Sequence, residues 1–232
     1  MLCKIADLYV EIPAAGGMDR RCSAYIAEEN RTPDIVIEES AYIPERNEGL
    51  GYDDMCYMDS SRYFYWELPK FGGLMLHAAA VEFEGRVYLF SGPSTVGKST
   101  HTRLWRQLLG EQVYFINDDK PALRQIDGKW FVYGTPWCGK DGINMNRRAP
   151  LAGICFLKQG HQNSIQRLPA KDAMIRILSQ TTKVIRDPSV VAQLMDHVDS
   201  LVRQIPIYEL ENRPELAAAQ LSYETMRSGA PE

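Results

Sequence analysis

The chain has 232 residues, of which 45% are hydrophobic and 24% charged, and its formal net charge is −4. This is the composition of a globular protein long enough for one substantial core, or for one domain with a smaller lobe. Because there is no basic excess to neutralise phosphates, nucleic acid is not expected as a partner. No apolar run approaches the roughly 18 residues of a membrane span, so a membrane partner is not expected either.

The N-terminal segment MLCKIADLYVEIPAAGG contains an apolar run that is broken by Asp7, Glu11 and Pro13. This pattern predicts a first strand rather than a signal peptide. The five cysteines are scattered and include no C-x-x-C pair. An odd, unpatterned set in a chain without an export signal indicates reduced thiols, and a cytoplasmic location is expected.

The first part of the chain has short apolar runs, such as Asp34–Ile37, and the polar stretch PERNEGLGYDD. A helix is predicted within SSRYFYWELPK, with Ser60 as its N-cap. We therefore expect a strand-rich N-terminal lobe over residues 1–70, packed on a larger domain over residues 71–232. The oligomeric state is left open by the sequence.

The larger domain opens with the apolar segments GLMLHAAAV and GRVYLFSG, joined by a tight turn at Gly85, and QVYFIND follows as a third strand. Asp127–Gly128 is a strong hairpin signal inside ALRQIDGKWFVYG. LAGICFLKQG and SIQRL are predicted to form another strand pair. Three segments with helical spacing follow: AKDAMIRILSQTTKVI, PSVVAQLMDHVDSLVRQI and PELAAAQLSYETMRS. Pro188 and Pro214 are predicted at first helical positions. The pattern indicates an α/β fold, in which a mixed sheet is followed by C-terminal helices.

Residues 92–99, GPSTVGKS, match the phosphate-binding pattern G-x-x-x-x-G-K-[ST]. By chance the pattern arises in about one chain in a hundred of this length. It lies between the apolar run VYLF and the helical pattern STHTRLWRQLL, which ends at a natural C-cap, Gly110. The match predicts a site for ATP and Mg²⁺, with Lys98 reaching the β and γ phosphates and the Ser99 hydroxyl on the metal. The predicted nucleotide-binding residues are Gly92, Ser94, Thr95, Val96, Gly97, Lys98, Ser99 and Thr100.

Two adjacent acids, Asp118 and Asp119, end the next predicted strand. Adjacent side chains on a strand point to opposite faces, but where the strand ends both are able to turn toward the phosphates. A solvated turn is the alternative for such a pair. After a phosphate-binding loop, the pair predicts one Mg²⁺ ligand and one base.

Taken together, LHAAAVEFEGRVYLFSGPSTVGKST and FINDDKPAL resemble the catalytic domain of HPr kinase/phosphorylase, which has the phosphoenolpyruvate carboxykinase-like P-loop fold. The resemblance covers roughly residues 73–125. It implies a P-loop-containing mixed sheet of that type and transfer of phosphoryl from ATP to a hydroxyl. It further implies that Asp118 is the base and Asp119 a Mg²⁺ ligand.

The resemblance also implies that His77 lies near the phosphates, whereas a lone histidine on an apolar strand is by itself a hydrogen-bonded core residue. The loop over residues 134–148, GTPWCGKDGINMNRR, corresponds to a region that approaches the family's active site. Lys140 is its expected catalytic residue, although Arg147 and Arg148 are alternatives and a plain surface loop is another. Cys138 is expected to be a passive thiol. The remaining histidines, His101, His161 and His197, are expected on the surface or on helix faces.

The sequence departs from the family at Thr100, where the HPr enzymes have a glutamate, and it has no counterpart of their segment EIRGLG. Phosphorylase activity and HPr as substrate are therefore not expected. The leading hypothesis is a Mg²⁺-dependent kinase whose acceptor is a serine of a peptide or protein, or a small metabolite. The alternatives are a nucleotide-binding regulator without an acceptor, and a carboxykinase-like enzyme that recruits His77, Lys140 and Arg147.

Overall fold

A computed structural model describes residues 1–29, 31–39, 48–182 and 187–231. The fold is mixed α/β, with a three-stranded sheet and a nine-stranded sheet. The strands are β1 Leu2–Ile5, β2 Leu8–Glu11, β3 Ile35–Val36, β4 Gly73–Met75, β5 Ala78–Phe83, β6 Arg86–Ser91, β7 Tyr114–Asn117, β8 Ala122–Ile126, β9 Lys129–Tyr133, β10 Arg148–Gln159, β11 Ser164–Arg167 and β12 Ile207–Asn212. The α-helices are α1 Met18–Arg21, α2 Tyr52–Glu67, α3 Lys98–Leu109, α4 Ala170–Ser179, α5 Pro188–Gln204 and α6 Leu216–Ser228.

The small sheet begins with a hairpin instead of the single strand that we predicted. β1 and β2 pair antiparallel, and β3 pairs parallel to β2. The chain reverses at Ala6 and Asp7, which adopt φ values of 53° and 60°. Two consecutive left-handed residues make the turn type that matches the twist of a hairpin. Asp7, which interrupts the apolar run of the N-terminal segment, therefore marks a turn between two strands.

Helix α2 is longer than predicted, and its N-cap is Gly51 rather than Ser60. Ser60 is buried inside the helix, where its hydroxyl accepts a hydrogen bond from Trp137 Nε1 at 3.0 Å. The small side chain thus makes room for a tryptophan from the second part of the chain. Residues 44–47 of the predicted polar stretch lie outside the described residues. The division into domains at residue 70 remains a prediction.

The large sheet has the strand order β4-β8-β9-β10-β6-β5-β7, with β12 on β10 and β11 on β12. The first residues of β10 pair antiparallel with β9, and its later residues pair parallel with β12. Strands β5, β6 and most of β10 are buried along their length. Continuous apolar runs are typical of strands that are covered on both faces.

The hairpin predicted at Asp127–Gly128 is confirmed, with φ values of 49° and 79° in its turn. The predicted pairing of the strands now labelled β10 and β11 is wrong, because β12 lies between them. We predicted no strand over β12. Its apolar run is interrupted by Glu209 and Glu211, whose carboxylates form ion pairs with Arg176 and Lys158.

The three C-terminal helices lie where the spacing predicted them, although α4 ends at Ser179 and residues 183–185 of its predicted segment fall outside the described ranges. Pro188 is the first residue of α5, as predicted. Pro214 does not begin α6, which starts at Leu216 after Glu215 as N-cap. Gly110 is the C-cap of α3, as predicted.

Candidate active site

Three strand ends meet at one edge of the large sheet. β5 lies antiparallel between β6 and β7, with Ala78 opposite Ser91 and Ala80 opposite Asn117. The residues that follow β6 and β7 therefore emerge beside His77, which precedes β5. The contact is direct, because the Ser91 hydroxyl donates to the His77 carbonyl at 2.8 Å. The sheet thus brings together three segments that are separate in the sequence.

The loop after β6 is tightly turned and leads directly into α3. Gly92 and Gly97 adopt φ values of 142° and 107°, and Thr95 adopts 69°. A Cβ atom on Gly92 would lie 3.1 Å from Val96 Cγ1 and 3.2 Å from the Leu157 carbonyl oxygen. The glycine is required there both by conformation and by space. The N-terminus of a twelve-residue helix, whose backbone N–H groups favour anions, lies at the end of this loop.

Lys98, the first residue of α3, is folded back over the loop. Its Nζ donates to the carbonyl oxygens of Gly92 at 2.9 Å and Pro93 at 3.2 Å, and only 8% of the residue is exposed. Burial lowers the pKa of Lys98, and the nearby Asp119 carboxylate opposes that shift. The ammonium would form strong, charge-assisted hydrogen bonds with an anion bound at the loop.

Asn117, the last residue of β7, shapes the turn that carries the two acids. Its Oδ1 accepts hydrogen bonds from the backbone N–H groups of Asp119 at 2.9 Å and Lys120 at 2.7 Å. Its Nδ2 donates to the carbonyl oxygens of Thr135 at 3.2 Å and Trp137 at 3.1 Å. The side chain is buried, and its bonds to Thr135 and Trp137 are shielded from water. Asn117 therefore fixes the acidic turn against the 134–148 loop, a role that we did not predict.

Asp118 faces that loop. The backbone N–H of Gly139 donates to its Oδ1 at 2.5 Å, and a Cβ atom on Gly139 would lie 2.9 Å from its Oδ2. Burial raises the pKa of Asp118, and the Gly139 N–H opposes the shift. A partly buried carboxylate with a raised pKa is a better proton acceptor than an ordinary aspartate.

Asp119 turns the other way, toward His77 and Lys120. Its Oδ1 lies 3.1 Å from His77 Nε2, and its Oδ2 lies 4.0 Å from Lys120 Nζ. Burial alone would raise the pKa of Asp119, but the His77 hydrogen bond and the charges of Lys120 and Lys98 outweigh it, so the pKa is lowered. Adjacent acids thus have opposite pKa shifts, as expected where one keeps its charge and the other exchanges a proton.

His77 is held on both sides of its ring. Its Nδ1 lies 3.2 Å from Gln180 Oε1, and its backbone N–H donates to the Gln180 carbonyl at 2.8 Å. The side chain is 28% exposed and lines a pocket. His77 is therefore hydrogen-bonded, as the plain core interpretation expected, and it also faces the space beside Asp119.

The loop over residues 92–97 separates two pockets. The first has a volume of about 590 Å³ and is lined by His77, Ser94, Asp119, Lys120 and Lys140, among others. It also includes side chains from the N-terminal part, Arg21 and Tyr57, which we did not single out from the sequence. Nothing in the local pattern around those two residues links them to residues that lie far along the chain.

The second pocket has a volume of about 440 Å³ and shares none of its lining residues with the first. It is lined by Thr95, Val96, Gly97 and Thr100, with His101 and Asn212 on its walls. Of the two positions expected for His101, a helix face is correct, because it lies in α3, and the surface is wrong, because it is 1% exposed. Its ring packs on the Phe90 ring at 4.6 Å between centroids. His101 Nδ1 and Asn212 Oδ1 have no hydrogen-bond partner within the described residues.

The 134–148 loop divides into two parts. Cys138, Gly139 and Lys140 line the first pocket. Burial raises the pKa of the Cys138 thiol, which suits a passive role. By contrast, Arg147 pairs with Glu82 at 2.6 Å, and Arg148 pairs with Asp7, in both cases away from the lining of the pocket. Trp137 is fully buried and stacks on Phe64 at 4.9 Å between centroids.

No protein-family model and no curated protein matches the chain. Among solved structures, the chain is similar to the Hpr(Ser) kinase/phosphatase from Coxiella burnetii, with 10% identity and a TM-score of 0.38. The similarity covers 66% of this chain and 97% of the other. None of the helices in the described ranges combines the length and apolar character that crossing a bilayer requires.

Proposed function

We propose that the protein is a kinase that transfers the γ-phosphoryl group of ATP to a hydroxyl acceptor. The observation that carries this proposal is the arrangement of Lys98, Asp118 and Asp119. The loop that holds Lys98 lies at the same sheet edge as two carboxylates whose pKa values shift in opposite directions. Nucleotide phosphates, a metal ligand and a base are the parts that phosphoryl transfer requires in one place.

The two pockets accommodate the two substrates on either side of the loop. The nucleoside occupies the pocket of about 440 Å³ beside Thr95 and Thr100. The acceptor occupies the pocket of about 590 Å³ beside Asp119 and Lys140. The phosphate chain then runs across the loop from one pocket to the other.

In the transfer step, the acceptor oxygen forms a bond to the γ-phosphorus while the bond from that phosphorus to the β,γ-bridging oxygen breaks. The hydroxyl proton passes to Asp118, and ADP leaves. Lys98 exchanges its bonds to the loop carbonyls for bonds to the phosphates and neutralises the charge that develops on them. Lys140 supplies further positive charge from the pocket wall, and His77 holds Asp119 in place.

The residues fit a magnesium ion of the kind that kinases use. Within the described part of the chain, no three His, Cys, Asp or Glu side chains are grouped as a metal cage. Mg²⁺ in phosphoryl-transfer sites needs none, because it takes one or two protein ligands and completes its shell with phosphate oxygens and water. Ser99 and Asp119 would be its protein ligands, and the lowered pKa of Asp119 suits that role. The ion would neutralise charge on the phosphates.

The same proposal includes a carboxykinase/HPr kinase-type P-loop fold, a small N-terminal lobe over residues 1–70 and a cytoplasmic location. A carboxykinase-like reaction is less well supported, because Arg147, one of its required cations, is paired with Glu82. A nucleotide-binding regulator is also less well supported, because it needs no base and does not account for the position of Asp118 beside Gly139.

The test uses γ-labelled ATP, Mg²⁺ and a panel of hydroxyl acceptors that includes seryl peptides and metabolites. Wild type is compared with Lys98→Ala and Asp118→Asn. We expect label on an acceptor with wild type, loss of both binding and transfer with Lys98→Ala, and loss of transfer alone with Asp118→Asn. Transfer at the wild-type rate by Asp118→Asn would refute the assignment of the base.

A further inference from the structure

The acceptor pocket has a concentration of positive charge around one aromatic ring. Lys120 Nζ and Arg21 Cζ each lie 4.6 Å from the centroid of the Tyr57 ring. The ring is held in place because the Tyr57 hydroxyl donates to the Cys138 carbonyl at 2.6 Å. Each cation gains a favourable contact with the ring face, but neither is neutralised by it. Both cations line the pocket.

Lys120 is the more constrained of the two cations. Its side chain is 17% exposed, and the hydrogen-bond acceptor within reach among the described residues is the sulfur of Met58, at 3.9 Å. An ammonium has three N–H donors, and a thioether is a weak acceptor. A half-buried ammonium with unused N–H donors is costly unless an anion accepts hydrogen bonds from them.

The protein's own carboxylates do not fill this role. Asp119 Oδ2 lies 4.0 Å from Lys120 Nζ, and the other oxygen, Oδ1, lies 3.1 Å from His77 Nε2. Arg21 and Lys140 have no ion-pair partner within 4.0 Å in the described ranges. The pocket lining therefore carries three cations, Arg21, Lys120 and Lys140, against two carboxylates, Asp54 and Asp119. In the proposed kinase, one of those carboxylates is a metal ligand.

Building on the proposed function, we propose that the acceptor is a small hydroxyl compound that also bears an anionic group, a carboxylate or a phosphate, bound by Lys120 and Arg21. A volume of about 590 Å³ is that of a small-molecule site. Charge-assisted hydrogen bonds from an ammonium and a guanidinium are strong and orient such an anion. Anchored on this side, the acceptor presents its hydroxyl toward the loop and the two acids.

The proposal is tested by calorimetric binding of matched probes, without turnover. Glycerate is compared with its neutral amide, and glycerol 3-phosphate with glycerol. The variants are Lys120→Met and Arg21→Gln. Their controls are Lys129→Met, an exposed lysine in β9, and Arg20→Gln, a neighbour in α1 that does not line this pocket. Circular dichroism verifies that each variant is folded.

We expect at least one anionic probe to bind and its neutral partner to bind at least tenfold more weakly. We expect at least a tenfold loss with each pocket variant, about 1.4 kcal/mol, and no change with the controls. Binding of glycerate indicates that the site takes a carboxylate, and binding of glycerol 3-phosphate indicates that it takes a phosphate. Equal binding of charged and neutral partners, no binding of either anion, or undiminished binding by the pocket variants would overturn the proposal.

A second readout separates this inference from the proposed function. The affinity for Mg·ATP is measured for the same variants and is expected to be unchanged. If the pocket variants lose ATP affinity together with probe affinity, the cations serve the nucleotide and the inference is wrong. If the anion binds as expected but no phosphoryl transfer follows with any acceptor, the anion site stands and the kinase proposal fails.

Discussion

Acid should destabilise this protein through His101, a residue of helix α3. The side chain is 1% exposed, packs on the Phe90 ring and has Nε2 at 2.9 Å from the Ser222 hydroxyl of α6. Its Nδ1 has no partner among the described residues. Burial lowers the pKa of His101 to about 4. Protonation would place an unpaired charge between α3 and α6.

The size of the effect follows from linkage. In the unfolded chain an ordinary histidine titrates near pH 6.5, whereas His101 in the folded chain takes up its proton only near pH 4. Between these values the unfolded state binds more protons, so the free energy of unfolding falls as the pH falls. Each pH unit in this window contributes about 1.4 kcal/mol, which gives about 2 kcal/mol at pH 5 and about 3 kcal/mol near pH 4.

The assay is urea unfolding of wild type and His101→Gln between pH 7.5 and pH 4.5. Glutamine is uncharged throughout and has an amide that is able to reach Ser222. Other titrating groups are common to both proteins, so the difference between the two isolates His101. We expect wild type to lose about 2 kcal/mol more than the variant between pH 7 and pH 5. Parallel curves would refute the buried, neutral state of His101.

Three further predictions concern the acidic turn. Gly139→Ala places a Cβ atom 2.9 Å from Asp118 Oδ2, and the carboxylate is able to swing away from it. We therefore expect at least a tenfold loss of phosphoryl transfer, with Mg·ATP affinity and thermal stability nearly unchanged. An unaltered transfer rate would contradict this. Asn117→Ala removes hydrogen bonds to four backbone groups, so urea unfolding should show a loss of about 2–4 kcal/mol. Asn146→Ala, an exposed residue with one such bond, is its control, and similar losses in the two variants would count against the positioning role of Asn117. Since burial raises the pKa of Asp118, the turnover rate should rise with pH as this base ionises, with a midpoint above that of an ordinary aspartate; a rate that is flat down to pH 4 would argue against it.

The sequence was most informative where local chemistry decides the structure. The turn at Asp127–Gly128 and the Gly110 C-cap depend on residues that accept unusual backbone angles, and both were correctly predicted. Lys98 follows β6 and the two acids follow β7; both strands pair antiparallel with β5, so these residues lie at the same end of the sheet. The catalytic roles of these residues remain predictions until they are measured.

The sequence was least informative where distant segments meet. Strand β12 was missed because Glu209 and Glu211 interrupt its apolar pattern, and their ion-pair partners are known only from the structure. Arg21 and Lys140 line the same pocket although more than a hundred residues separate them in the sequence. That contact depends on how the N-terminal part packs. Lys120 was not singled out, since nothing near it in sequence reveals that only 17% of its side chain is exposed.

The central claim is that the loop over residues 92–99 binds the phosphates of a nucleotide, and the most direct test is a calorimetric titration of Mg·ATP into wild type and into Lys98→Ala. Lys98 is the charged side chain folded over this loop. We predict one binding site per wild-type chain and at least a tenfold weaker affinity in the variant, provided that circular dichroism shows it to be folded. Equal affinity in the two proteins, or no binding to folded wild type, would contradict the claim.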